Sequence, residues 1–332
     1  MSTLTRLMLP FDEGAVALPD AGQITIIRAQ ADSYTEFPRD RLTCVQGFYP
    51  TYAALQSAGL TVGTDLPDSS AMTILHVTRS KDESRGLLAR AFDRLDLGGI
   101  LLVDGAKTDG IESLMKAAKK AHGIDGQLSK AHGKVFWLTK NGSENPFSSW
   151  AEALVPAPNA DGFMTAAGMF SADGIDPGSA ELAPFIAGKL KGKTADLGAG
   201  WGWLSAQALA SNPDIETLDL VEAEHSALAC ARLNVTDPRA AFKWGDATNP
   251  AAKRVYDTII TNPPFHTGRK AEPALGRAFI AAARGMLKPT GQMYLVANRQ
   301  LAYEATLDDC FARVEVLSQT SRYKIIHARK PK

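Results

Sequence analysis

Cysteine is scarce: Cys44, Cys230 and Cys310 are the only three in 332 residues, and they stand far apart. An odd, scattered set offers neither a disulfide framework nor the close spacing of a metal site, so reduced thiols and no metal are expected. There is no surplus of charge of either sign, since 36 basic residues balance 36 acidic ones. A protein that coats nucleic acid non-specifically needs excess lysine and arginine to neutralise phosphates, so any phosphate-binding surface here must be local. The opening MSTLTRLMLPFDEG has no basic stretch followed by an apolar core. No apolar run approaches the ~18 residues that cross a bilayer. Neither a secretory signal nor a membrane partner is therefore expected, and the chain reads as cytoplasmic.

What is present is an ordinary globular composition, 45% hydrophobic and 22% charged, which carries no signature of disorder. The length suits about two domains. In the second half, KTADLGAG, ETLDLVEAE, AFKWGDA, VYDTIITN and GQMYLVAN read as strands. Between them, WLSAQALASN, HSALACARLNV and ALGRAFIAAARGML carry helical spacing. Such alternation predicts βαβ units and a mainly parallel sheet, whose ligands bind beyond the carboxyl ends of the strands.

The first half echoes the second. TILHVTRSKDES aligns with TIITNPPFHTGRKAE, and LLARAFDRLDLGGILLVDGAKTDGIESL with AFIAAARGMLKPTGQMYLVANRQLAYEATL, which sets Glu112 opposite Glu304. HGKVFWLTK matches SRYKIIHARK in placement and pattern. These matches predict an internal duplication. The first copy carries Val77-Thr78-Arg79-Ser80 where the second has Asn262-Pro263-Pro264-Phe265, and residues 1–70 hold no strand end like DLGAGWG. We therefore expect a first domain over 1–148 that keeps the architecture without the cofactor, a linker rich in Pro, Ser, Asn and Gly over 149–165, and a second domain over 166–332.

Two stretches of the second copy carry chemistry. ADLGAGWGWLS supplies Asp196, Gly198, Ala199, Gly200 and Gly202, and glycines let a backbone turn tightly against a ligand. Its spacing is G-x-G-x-G; the third glycine of a dinucleotide fingerprint would fall at Trp203, and an indole cannot give the same close helix packing. Glu222, followed by Ala223, ends the next strand and suits a ribose diol. Asp246, followed by Ala247, ends the third and could reach an adenine amino group or merely form a turn. In DTIITNPPFHTG a β-branched strand stops on two prolines, which have no N–H for a ladder and hold Asn262 extended at the tip.

Together, DLGAGWG, Glu222, Asp246 and NPPF resemble a class I S-adenosylmethionine-dependent methyltransferase. That resemblance implies two tandem Rossmann-like α/β domains, the second built on a mainly parallel seven-stranded sheet. It also implies S-adenosylmethionine as cofactor, held by Asp196, Gly198, Ala199, Gly200, Gly202, Glu222, Ala223, Asp246, Ala247 and Asn262. In such enzymes the tetrapeptide, here Asn262, Pro263, Pro264 and Phe265, marks methylation of a nitrogen on a planar conjugated group. The Asn262 Oδ1 and Pro263 carbonyl would accept its two N–H bonds, and Phe265 would stack on the flat substrate.

NPPFHTG, GMFSADGIDPGSAEL and SRYKIIHARK narrow the likeness to the ribosomal RNA guanine-N2 methyltransferases of the RsmC and RlmG type. By it, Phe170, Asp176, His266, Arg269, Arg322 and Lys324 would meet the substrate, with His266 positioning rather than acting as a base. The partner would be ribosomal RNA or a ribosomal subunit, small subunit favoured, and the chain a monomer. Methylation of the large subunit, of protein glutamine N5 or of adenine N6 in DNA are alternatives. So is a non-catalytic RNA-binding assembly factor.

Overall fold

A computed structural model describes residues 4–264 and 273–332. The chain folds as two compact units, Met1–Pro156 with Ala166–Gly168, and Ala157–Thr165 with Met169–Lys332.

The first unit opens with two single-turn helices, α1 (Leu4–Leu7) and α2 (Leu9–Asp12). Strands β1 (Ile24–Ile27) and β2 (Leu42–Val45), helix α3 (Tyr49–Ser57) and strand β3 (Thr61–Gly63) follow. Then come β4 (Ser70–His76), α4 (Lys81–Asp93), β5 (Leu95–Ala106), α5 (Ile111–Ala121), β6 (Gly126–Lys130) and β7 (Gly133–Thr139). The start of α4 is written locally: Ser80 caps it by accepting from the Glu83 N–H at 3.2 Å.

The second unit begins with a short hairpin, β8 (Ala157–Pro158) and β9 (Met164–Thr165). It continues through α6 (Pro177–Ile186), β10 (Gly192–Leu197), α7 (Trp203–Ser211), β11 (Ile215–Glu222), α8 (His225–Asn234) and β12 (Ala240–Trp244). β13 (Tyr256–Thr261), α9 (Pro273–Met286), β14 (Leu287–Asn298), α10 (Glu304–Cys310), β15 (Phe311–Gln319) and β16 (Tyr323–Pro331) complete it. The strands and helices expected in this half are all present. β14 starts four residues earlier than its apolar run, directly where α9 ends, and β15 is an added strand that no motif announced.

Each unit holds one seven-stranded sheet, ordered β3-β2-β1-β4-β5-β7-β6 in the first and β12-β11-β10-β13-β14-β16-β15 in the second. Renumbered from its first member, the second order is the same as the first. Five strands run parallel, while β7 and β16 turn back antiparallel to β5 and β14. The central strands of the second sheet are apolar on both faces. Ala195, Leu197, Ile259 and Leu295 pack under α9 and α10, while Leu218, Leu220, Ile260 and Val296 pack under α6, α7 and α8. That double burial is why these strands read as continuous apolar runs rather than as alternations.

The duplication reaches individual side chains. Thr25 lies beside Thr73 on β1 and β4, and Thr194 beside Thr258 on β10 and β13. Lys134 on β7 pairs with Glu112 on α5 at 3.8 Å, and Lys324 on β16 pairs with Glu304 on α10. Counting on from the threonines, Ile27 takes the place of Asp196, and Val77 that of Asn262. β1 leads to β2 through a loop and a single 3-10 turn (Arg39–Arg41), with no counterpart of α7. The carboxyl ends of β4 and β5 themselves carry a buried network instead. Arg6 donates to Asp104 at 2.5 and 3.0 Å, and His76 stands between Asp104 and the Tyr34 hydroxyl at 3.3 and 3.4 Å.

The stretch read as a linker is folded on both sides. A 3-10 helix (Ser148–Leu154) packs on α4, where a Cβ at Gly86 would stand 2.5 Å from Leu154, and belongs to the first unit. β8 and β9 belong to the second. Its prolines and polar residues made it look like a connector, but the buried Phe147 and its neighbour Trp150, with ring centroids 4.9 Å apart, anchor it.

Candidate functional site

Strand order reverses between β10 and β13, which lie side by side with Leu197 in register with Thr261. A crevice forms beyond the carboxyl ends at such a switch point. Into it run the glycine loop after β10 and Asn262 after β13. The recess there is lined by Asp196 of β10, by Gly198, Ala199, Gly200, Trp201, Trp203 and Leu204 from the loop and α7, by Phe170 and Ser171, by Asp176 and Ser179 at the head of α6, and by Asn262. Phe170, Asp176, Asp196, Gly198, Ala199, Gly200 and Asn262 were expected at a site from the sequence, and the fold brings them together.

The glycines divide their work. Gly200 is left-handed at φ 56°, and a Cβ there would meet nothing within 4 Å, so its bare face is open. Gly202 is left-handed at φ 91°, but a Cβ there would meet Val235 at 2.9 Å and Ala231 at 3.2 Å. Gly202 therefore serves the packing of the α7 start on α8 rather than a ligand.

Two acidic side chains stand behind the loop. Asp196 is buried, and its Oδ2 accepts from Ser205 Oγ at 2.7 Å. Burial raises its pKa from 3.8 to about 7, against the lowering effect of Ser205 and with the help of the Glu222 charge. Glu222 accepts from the Gly200 N–H and the Glu224 N–H, each at 2.8 Å. Its pKa is also pushed up by burial, opposed by those backbone N–H groups. Both carboxyls thus have neutral bonding partners. Ala223 gives its carbonyl to the Trp244 indole at 2.8 Å, and Ala247 is buried in the apolar core. Asp246 Oδ1 accepts from the Thr248 N–H at 2.8 Å and hydroxyl at 2.6 Å, the turn-forming arrangement weighed for it in the sequence.

At the other wall Asn262 is held firmly. Its Nδ2 donates to Asp176 Oδ2 at 2.6 Å and to Ser179 Oγ at 2.8 Å. Its Oδ1 is buried and has no hydrogen-bond partner among the described residues. Pro263 is buried behind it and Pro264 half-buried. Phe170, 61% exposed, is carried over the recess by a loop that Trp201 fastens, its Nε1 donating to the Phe170 carbonyl at 3.0 Å. Asn234 in turn donates to the Trp201 carbonyl at 2.8 Å and to the Met164 carbonyl at 2.9 Å, tying α8, β9 and the glycine loop together.

With this geometry in place, the comparisons with known proteins are direct. The family model of the methyltransferase small domain matches residues 161–327. A ribosomal RNA small subunit methyltransferase C of Alcanivorax borkumensis is 30% identical over 270 residues, covering 79% of this chain and 81% of that one. The protein of the same name from Shewanella loihica is 30% identical over 277 residues, 81% of this chain and 80% of its own. This chain belongs to the methyltransferase small domain family. Among solved structures, a T. thermophilus 16S rRNA N2 methyltransferase (RsmC), in complex with AdoMet and guanosine, shares the fold at a TM-score of 0.76. It is 21% identical, over 95% of this chain and 90% of that one.

Of the residues expected to meet the substrate, Lys324 points elsewhere. Lys324 is buried, and its ammonium binds Glu304 and the Leu301 carbonyl. Because Lys134 and Glu112 make the corresponding pair in the first unit, this is a fastening of β16 to α10, and the ammonium is not offered to a substrate. Arg322 is exposed in the turn before β16, where its carbonyl accepts from the Arg299 N–H at 2.7 Å. Phe265, His266 and Arg269 lie outside the described residues. Ser179, Trp201 and Ser205 were missed; only Ser179 had a signal, since Asp176-Pro177 marks a helix start three residues before it.

The state of Asp196 has a measurable consequence. The folded protein keeps a proton on it up to about pH 7, whereas an unfolded Asp releases it near 3.8. With its folded pKa raised, its contribution to stability falls as pH rises through that window. The stability of Asp196→Asn relative to the native chain should therefore increase by roughly 2 kcal/mol between about pH 5 and about pH 7.5. Urea unfolding at both values checks this, and a difference that does not change with pH refutes it.

Proposed function

We propose that this protein transfers a methyl group from S-adenosylmethionine to the exocyclic N2 amino group of a guanine in small-subunit ribosomal RNA. The observation that carries the reading is the Asn262 carboxamide, fixed through its nitrogen and with its oxygen buried and unpaired at the switch point of the sheet. A buried acceptor without a partner is costly, so the site is made for an N–H donor. The names of the two relatives and of the T. thermophilus enzyme support the substrate.

The residues present also fit the cofactor. Asp196 is buried and Glu222 half-buried, and among the described residues both are bonded to neutral groups, which suits a cationic ligand carrying a ribose. The bare face of Gly200 leaves room for it beside them. When bound, S-adenosylmethionine supplies a methyl on a positively charged sulfur that is its own leaving group. What remains for the protein is to position a weak nucleophile, an amino nitrogen whose lone pair is delocalised into the ring. Asn262 Oδ1 accepts one of its N–H bonds, and we assign the second to the Pro263 carbonyl, which together turn the lone pair out of conjugation. The amino proton leaves after transfer, so no strong base is required. Phe170 offers a flat apolar face to a guanine drawn out of its stack.

The first unit, with Ile27 and Val77 at the two key positions and a buried ion network at its strand ends, we read as a cofactor-free unit that holds the RNA. Among the described residues no helix is long and apolar enough to cross a membrane. We read the protein as a cytoplasmic monomer built of two like units.

Small subunits lacking the modification, incubated with labelled S-adenosylmethionine, should yield label in N2-methylguanosine. Label in another nucleoside, or only in large subunits, contradicts the assignment. Asn262→Ala should cut turnover by about a hundredfold, the scale of losing one bond made to the transition state, with cofactor affinity changed only a few-fold. Gly200→Ala should do the reverse, weakening cofactor binding about tenfold or more by calorimetry because its methyl enters the recess. Unaltered binding would remove Gly200 from the site.

A further inference from the structure

We infer that Asp176, together with Ser179, is the positioning device that sets which way the Asn262 carboxamide faces and sharpens its oxygen as an acceptor. The inference rests on the reading of Asn262 as the group that receives the N–H of the methylated nitrogen. A carboxamide has a donor end and an acceptor end of nearly the same shape, and only its partners decide which end faces a ligand. Here the partner is a carboxylate, which accepts and cannot donate. Asp176 Oδ2 stands 2.6 Å from Nδ2; with the amide turned over, two oxygens would face each other at that distance. Ser179 Oγ takes the other Nδ2 proton at 2.8 Å, so both donors of the amide are spent on one wall. Oδ1 is left as the free end of a residue that lines the recess, buried and without a partner among the described residues.

Asp176 is itself held. The same Oδ2 accepts from the Ser179 N–H at 2.8 Å, capping α6, and Pro177 sets the backbone at the first helical position. A helix cap, required for the fold, thus doubles as a clamp on a residue 86 positions along the chain. The bond from Nδ2 is assisted by charge, and it draws amide resonance toward a more negative oxygen. Such an oxygen better supports the positive charge that grows on an amino nitrogen as its lone pair attacks. Asp176 in this account touches neither RNA nor cofactor, and differs from the substrate-contacting role its sequence position suggested.

Asp176→Ser separates the clamp from the cap, because serine caps a helix as well as aspartate but is too short to reach Asn262. It should fold with an unchanged melting temperature, keep cofactor KM within about twofold, and lose kcat about tenfold to a hundredfold. Asp176→Asn, which keeps an acceptor oxygen without the charge, should recover part of that kcat. In an Asn262→Ala background Asp176→Ser should cause no further loss, since the clamp then has nothing to hold. Native kcat in Asp176→Ser, or an equal loss in both backgrounds, overturns the inference. Turnover is followed on whichever nucleoside the native enzyme labels, so a wrong substrate reading shows in the native protein while a wrong clamp shows only in the variants. A readout independent of turnover is the Asn262 side-chain NH2 resonance, assigned by its disappearance in Asn262→Ala. Its protons should be protected from solvent exchange in the native chain and unprotected in Asp176→Ser; protection that survives in the variant refutes the clamp.

Discussion

A carboxamide can turn only one end toward a ligand, and the site depends on which end Asn262 presents. β13 must deliver the residue to the tip of the sheet, α6 must bring a carboxylate against its nitrogen, and α7 must line the same recess. The distances of 2.6 and 2.8 Å from Nδ2 to Asp176 and Ser179 record the meeting of two of these elements. The parallel sheet makes that meeting possible, because neighbouring strands end at one edge and their loops share one crevice.

Electrostatics complete the arrangement from the opposite wall. Asp196 and Glu222 are carboxyls drawn out of water with neutral partners, an arrangement that is unfavourable until a cation enters. In the function we propose, one side of the site receives a positively charged donor and the other an N–H. Both sides lie within a few residues of strand ends, where side chains escape the packing that governs the middle of β10 and β13.

The first unit shows what remains when those features are absent. It repeats the strand order, the central threonine pairs and the Glu–Lys fastening of the last helix to the penultimate strand of the sheet. It does not repeat the helix after its first strand, and Arg6 joins His76 and Asp104, at the carboxyl ends of β4 and β5, in an ion network. Architecture and chemistry are separable here because the sheet is held by its apolar middle and the site by its polar edge.

Much of this was legible along the chain. Alternating strands and helices, the glycine loop, the Asn-Pro-Pro tip and the echo between halves are local patterns, written in turn chemistry and periodicity that act over a few residues. Tertiary structure alone decided the rest. No pattern could tell that Lys324 turns inward to Glu304, that Gly202 packs against Val235 while Gly200 faces open space, or that 149–165 is built into folded units. Least of all could it show that Asp176 orients Asn262. A hydrogen bond between residues so far apart in sequence exists only after the sheet has set α6 beside the end of β13, and its direction depends on which groups at that meeting point can donate.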